Sequence, residues 1–128
     1  EDGTPEARQL LAADAPLAAP ELIVAEVCNA AWKLQRLGVL GEGQYGAIAS
    51  GVTVLVDRLV PFGPLAPRAA EMARELNHPA YDCFYLALAE READVLVSAD
   101  RRLLERTRRS RWRGLVRNLR GRESSRRG

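Results

Sequence analysis

The stretch Ala80-Tyr-Asp-Cys-Phe-Tyr-Leu-Ala-Leu-Ala-Glu-Arg91, then Glu-Ala-Asp, then Val95-Leu-Val-Ser98-Ala-Asp100, decides the fold class. Its first part opens behind Pro79 and predicts a helix over 80–91, apolar enough to be largely enclosed. Its second part predicts a short strand over Val95–Ser98, with Asp100 starting the next helix at once. The same alternation extends outward on both sides. Thr4-Pro5-Glu6 reads as a helix start, with the helix ending near Asp14, and Leu17–Ala19 as a strand stub. Pro20-Glu21 opens a helix in which Leu22, Ile23, Val27, Ala30, Ala31 and Leu34 recur at helical spacing before Gly38. Residues 42–59 predict another helix, weakened by Gly46 and Gly51 at about 1 kcal/mol each relative to Ala. A strand over Val60–Phe62, a helix over Pro67–Leu76 and a last strand over Leu115–Leu119 follow. Helices alternating with very short strands predict an α/β layered fold with a parallel sheet.

The chain has 128 residues and is 47% apolar, which suits one globular domain and excludes wholesale disorder. No apolar run approaches the roughly 20 residues of a membrane helix, and the start Glu-Asp-Gly-Thr-Pro has no signal-peptide pattern. Cys28 and Cys83 lie in apolar helical patterns and read as buried free thiols. The expectation is a soluble cytoplasmic domain over 1–121 with no membrane partner, and an Arg-rich disordered tail over 122–128. The net charge of +2 hides an asymmetry: residues 1–100 hold 7 basic and 15 acidic side chains, and residues 101–128 hold 12 Arg and 2 acids. Guanidinium pairs two-pronged with phosphate or carboxylate, so the basic end suits nucleic acid, an acidic protein surface, or solvent alone.

Three carboxylates stand where packing alone would not put them. Glu26 shares a helix face with Leu22, Asn29 and Lys33, beside an apolar stripe. Asp82 is in the first turn of the enclosed helix, and Asp100 is at the carboxyl end of a strand, where open α/β sheets bind ligands. Singly, Asp82 and Asp100 read as first-turn acids worth about 0.3–1 kcal/mol, and Glu26 as the partner of Lys33 or a nearby Arg. Together they point to a cation. Two carboxylates about 4 Å apart repel by roughly 4 kcal/mol at an effective dielectric of 20, and a hard divalent ion relieves this. No Cys/His spacing suggests zinc, and the single His78 reads as a packing or capping residue with no ligand partner nearby. Gly41-x-Gly43-x-x-Gly46 follows a helix rather than a strand, so it reads as a loop and helix start rather than a phosphate loop.

Three segments occur in order: Pro20-Glu-Leu-Ile-Val-Ala-Glu26-Val-Cys-Asn29-Ala-Ala-Trp-Lys33, His78-Pro-Ala-Tyr81-Asp82-Cys-Phe-Tyr85-Leu-Ala-Leu-Ala89, and Leu96-Val-Ser98-Ala-Asp100-Arg-Arg-Leu103. With them the chain resembles the PIN-domain ribonucleases, specifically the VapC-like toxins of bacterial toxin–antitoxin pairs, over roughly residues 4–119. The resemblance implies a three-layer α/β/α fold with a small parallel sheet and an endoribonuclease dependent on Mg²⁺ or Mn²⁺. It implies a cognate antitoxin whose tail occupies the acidic groove, and a homodimer. Glu26, Asp82 and Asp100 fall on three of the family's four metal-site acids, with Asn29 and Ser98 on supporting positions. Arg101, Arg102 and the Arg cluster beyond them are expected to hold the RNA backbone. The family begins with a central strand ending in Asp; this chain opens at the following helix, so that strand is expected to be absent through truncation or loss. The rival expectation is a catalytically inactive PIN-like module that binds an antitoxin or RNA.

Overall fold

The computed structural model describes residues 17–119; the expected helix over 4–14 and the tail over 122–128 lie outside the described residues. The chain divides into two compact units, residues 1–61 and 62–128.

In the first unit, strand β1 (Ala18–Pro20) leads into helix α1 (Leu22–Arg36), then helix α2 (Glu42–Leu55) and strand β2 (Arg58–Val60). Strands β1 and β2 are parallel, with Ala18 opposite Arg58 and Pro20 opposite Val60. Helix α1 buries Ile23, Val27, Ala30 and Ala31, the spacing of one helical face. It ends where Gly38 takes a φ of +82°, a conformation open to Gly at no steric cost, and donates from its N–H to the Gln35 carbonyl at 3.0 Å. Gly41 then caps α2, with its N–H donating to Gln44 Oε1 at 2.8 Å, so the glycine-spaced segment is a loop and helix start.

Helix α2 stops four residues short of the expected 59, and β2 lies two residues earlier than the expected Val60–Phe62. Strand pairing overrides the helical pattern here. Arg58 N–H donates to the Leu17 carbonyl at 2.9 Å, and Glu21 N–H donates to the Val60 carbonyl at 2.7 Å. Asp57 accepts from Leu17 N–H at 2.6 Å, which ties the start of β1 to the turn before β2.

The second unit opens with a 3₁₀ turn (Gly63–Leu65) and continues through helix α3 (Ala66–Leu76), helix α4 (Ala80–Arg91), strand β3 (Leu96–Ser98), helix α5 (Arg101–Arg108) and strand β4 (Val116–Asn118). Helix α4 has the predicted bounds and buries Cys83, Tyr85, Leu86, Ala87, Leu88 and Ala89, as its enclosed pattern requires. Helix α3 packs on it and buries Ala69, Met72 and Leu76. Strand β3 runs parallel to β4, with Leu96 opposite Val116 and Ser98 opposite Asn118. Phe62 meets Phe84 edge to face, with ring centroids 5.6 Å apart. The class is therefore α/β with short parallel strands, as the alternation of helices and short strands predicts. Among the described residues no third strand joins either pair. No described helix is long and apolar enough to cross a membrane.

Candidate metal centre

Asp100 is positioned by two sets of hydrogen bonds. Its own N–H donates to Oγ of the buried Ser98 at 3.0 Å. Its Oδ1 accepts from Arg102 N–H at 2.9 Å and Leu103 N–H at 3.2 Å, capping α5. Oδ2 accepts no hydrogen bond among the described residues. The capping alternative is thus correct for Asp100, and it still leaves one carboxylate oxygen for a ligand.

Asp82 stands in the first turn of α4, half-buried, with Oδ2 2.7 Å from Nε2 of His78. His78 follows Asn77, which closes α3 in the left-handed region, and its N–H donates to the Ala73 carbonyl at 3.1 Å. Its ring is buried, and Nδ1 lies 3.4 Å from a terminal nitrogen of Arg106, which also donates to the Asn77 carbonyl. His78, Asp82 and Asp100 each offer a ligand atom, and these atoms all lie within 4.8 Å of one another. This corrects the reading of His78 as having no ligand partner nearby. His78 stands before the Pro79 cap and outside the helix, so the available signal was only that it and Asp82 flank the same helix start.

These three residues line an open groove of about 360 Å³ together with Pro79, Arg101 and Arg102. Both Arg side chains are exposed, and neither is ion-paired among the described residues. Several of the more distal Arg residues have protein partners. Arg106 is held at Asn77 and His78, Arg109 pairs with Glu105 at 3.2 Å, and Arg111 pairs with Glu71 and Glu75 at 3.1 Å. Proximity in sequence did not show that acids on α3 lie opposite Arg111. Glu26 and Asn29 lie three residues apart on α1 in the other unit, half-buried and exposed respectively. Among the described residues the groove is lined by second-unit residues between 78 and 102. Beside Asp82, burial pushes the Cys83 thiol up to about 12, and the Asp82 charge adds to the shift.

The donor set suits a divalent cation: among the described residues two carboxylates in one open groove each keep an oxygen outside the hydrogen bonds to His78 and to the α5 amides. A mixed α/β chain with paired acids beyond the end of a parallel strand matches a known protein class. The PIN domain family model matches residues 1–109, and the chain belongs to that family. PIN domains are generally nucleases, hydrolases acting on nucleic acid, and usually bind a divalent metal. No curated protein matches the chain.

Proposed function

We propose that the chain is a divalent-metal-dependent endoribonuclease, the toxin of a VapC-like toxin–antitoxin pair acting in the bacterial cytoplasm as a homodimer. One observation carries the reading: the paired acids Asp82 and Asp100 share a groove with two exposed guanidinium groups, Arg101 and Arg102, that are not ion-paired among the described residues. Asp82 and Asp100 would hold Mg²⁺ or Mn²⁺, and Glu26 would supply a third acid as the resemblance implies, with Asn29 supporting it. The ion would lower the pKa of a bound water and offset charge on the phosphodiester. Ser98 fixes the backbone of Asp100, and the α5 amides fix its Oδ1. Arg101 and Arg102 would grip phosphate oxygens and orient the strand without reading bases. An antitoxin tail would enter the same groove with a basic side chain, replacing the cation's charge.

A second reading, a PIN-like module that binds without turnover, is favoured by the groove's having only two carboxylates among the described residues. Incubation of the chain with RNA separates the two. Cleavage that requires Mg²⁺ or Mn²⁺, stops with a chelator and is lost in Asp82→Asn supports the nuclease. RNA or antitoxin binding without cleavage under any divalent ion supports the binding module.

A further inference from the structure

The three groups gathered in the groove are not chemically equivalent, and the difference lies in which nitrogen of His78 carries its proton. Arg106 is a donor only, since guanidinium has no lone pair to offer. Its terminal nitrogen faces His78 Nδ1 at 3.4 Å and also reaches the Asn77 carbonyl. Facing a donor, Nδ1 is suited to present its lone pair, and the ring hydrogen then sits on Nε2. Nε2 in turn lies 2.7 Å from Asp82 Oδ2, a distance suited to an N–H donating to a carboxylate. The ring is buried, and the segment carrying it is held at both ends. Asn77 closes α3 in the left-handed region, and Pro79 precedes the first residue of α4.

The geometry points to His78 as a positioning residue rather than a metal ligand: Arg106 fixes its tautomer, and its Nε2–H pins Asp82 Oδ2. A ring nitrogen that carries a hydrogen has no lone pair for a cation. The inference rests on the metal-site reading above and narrows the site's chemistry. Among its described lining residues the groove then presents two carboxylate oxygens to a cation, Asp82 Oδ1 and Asp100 Oδ2. Such a set suits hard ions of the Mg²⁺ and Mn²⁺ type and gives imidazole-preferring metals no added hold. The arrangement parallels the one that orients ligands in other metal sites, with a neighbouring hydrogen bond setting the carboxylate's rotation.

His78 is the single histidine of the chain, so its ring can be observed without assignment. In untagged, metal-free protein at mildly alkaline pH, long-range ¹H–¹⁵N spectra should show the Nε2–H tautomer. Arg106→Gln should mix the tautomers, and Arg106→Lys, which keeps a donor, should restore the single form in part. With Mn²⁺ bound, electron spin-echo spectra should lack the coupling of a directly bound imidazole nitrogen. Mn²⁺ affinity should fall about 10–100-fold in His78→Phe and recover in part in His78→Gln, which keeps an N–H donor. An Nδ1–H tautomer in the metal-free protein, or a directly bound ¹⁴N in the Mn²⁺ spectrum, overturns the inference; the latter leaves the metal site standing. Failure to bind Mn²⁺ removes the metal-site reading, while the metal-free tautomer still decides the hydrogen-bond assignment.

Discussion

Arg68 grips Glu90 through two parallel hydrogen bonds, Nε to Oε1 and a terminal nitrogen to Oε2, both at 2.7 Å. The same guanidinium donates to Glu71 at 2.9 Å, and Trp112 Nε1–H donates to Glu90 Oε2 at 3.1 Å. The buried indole is flanked by Arg68, 5.4 Å from the ring centroid, and by Arg111 at 4.5 Å. The turn after α5 is thereby fastened to α3 and α4 by charge-assisted hydrogen bonds and cation–π contacts. Arg111 therefore serves packing, whereas Arg101 and Arg102 line the groove.

That cluster sets an acid dependence. Hydrogen bonding to Arg68 holds Glu90 and Glu71 below the ordinary carboxylate range, and at Glu90 burial opposes the effect in part. A carboxyl depressed in the folded state contributes stability that is present above its unfolded pKa, about 4.3. That contribution is lost as pH falls through the folded value. Arg68→Gln should therefore lower the melting temperature at neutral pH and flatten the decline from pH 5 downward. High salt should shrink the difference, because both acids are partly exposed. Thermal melts of both proteins across that range check it. A difference that does not change with pH would assign Arg68 to packing alone.

Asp100 has two roles that substitution can separate. Asparagine can still cap α5 but offers a cation no negative charge, whereas alanine removes both. Asp100→Asn should abolish the rise in melting temperature caused by Mn²⁺ and leave the metal-free melt within a few degrees. Asp100→Ala should also lose the cap, about 1 kcal/mol, or roughly 4 °C for a chain of this size. Equal metal-free melts for the two variants would mean that the capping bonds to Arg102 and Leu103 contribute nothing.

The sequence was most readable where one local rule governed. Helix α4 was found to the residue because Pro79 bounds it in front and its apolar side chains bury six positions. Asp100 as a helix start was equally local. The end of α2 was misread because β1 captures Arg58–Val60, a pairing 40 residues away that no local propensity encodes. The partners of His78 were missed for a related reason. Its spacing to Asp82 was visible, but the donor that fixes its ring, Arg106, arrives from 28 residues further along the chain.

The two thiols should differ in reactivity. Cys83 is fully buried and its thiol is pushed up to about 12, so almost none is thiolate near neutrality. Cys28 is only half-buried on α1. Iodoacetamide at pH 8 should label Cys28 alone in folded protein, and Cys83 only after denaturant is added. Equal labelling without denaturant, read by peptide mass, would show that the α3–α4 packing opens readily.

Ala93 sits in the left-handed region with φ of 57°, at the turn that ends α4. Its N–H donates to the Glu90 carbonyl at 3.2 Å, and Asp94 N–H donates to that of Ala89 at 2.9 Å. A Cβ in this conformation costs about 1 kcal/mol or more, and glycine removes the clash at some cost in unfolded-state entropy. Ala93→Gly should therefore raise stability by about 0.5–1 kcal/mol in urea titrations, with metal binding unchanged. A lower midpoint would mean that the turn relaxes around alanine without strain.

Arg101 and Arg102 provide the sharpest test of the groove as a nucleic-acid site. Both are exposed at the start of α5, beside the acids, and unpaired among the described residues. Arg109 is equally exposed but pairs with Glu105 at 3.2 Å. If the first two each neutralise one phosphate of a single strand, each contributes about 0.7 to the slope of log affinity against log salt. The double variant Arg101→Gln, Arg102→Gln, made in an Asp82→Asn background to prevent cleavage, should flatten that slope by about 1.4. It should weaken binding to unrelated RNA sequences alike, because phosphate contacts carry no base information. Arg109→Gln should leave the slope nearly unchanged. Fluorescence anisotropy with short labelled RNAs at several salt concentrations gives all three slopes. An unchanged slope in the double variant, or an equal loss in Arg109→Gln, would mean that RNA is held by general surface charge and not at the acidic groove.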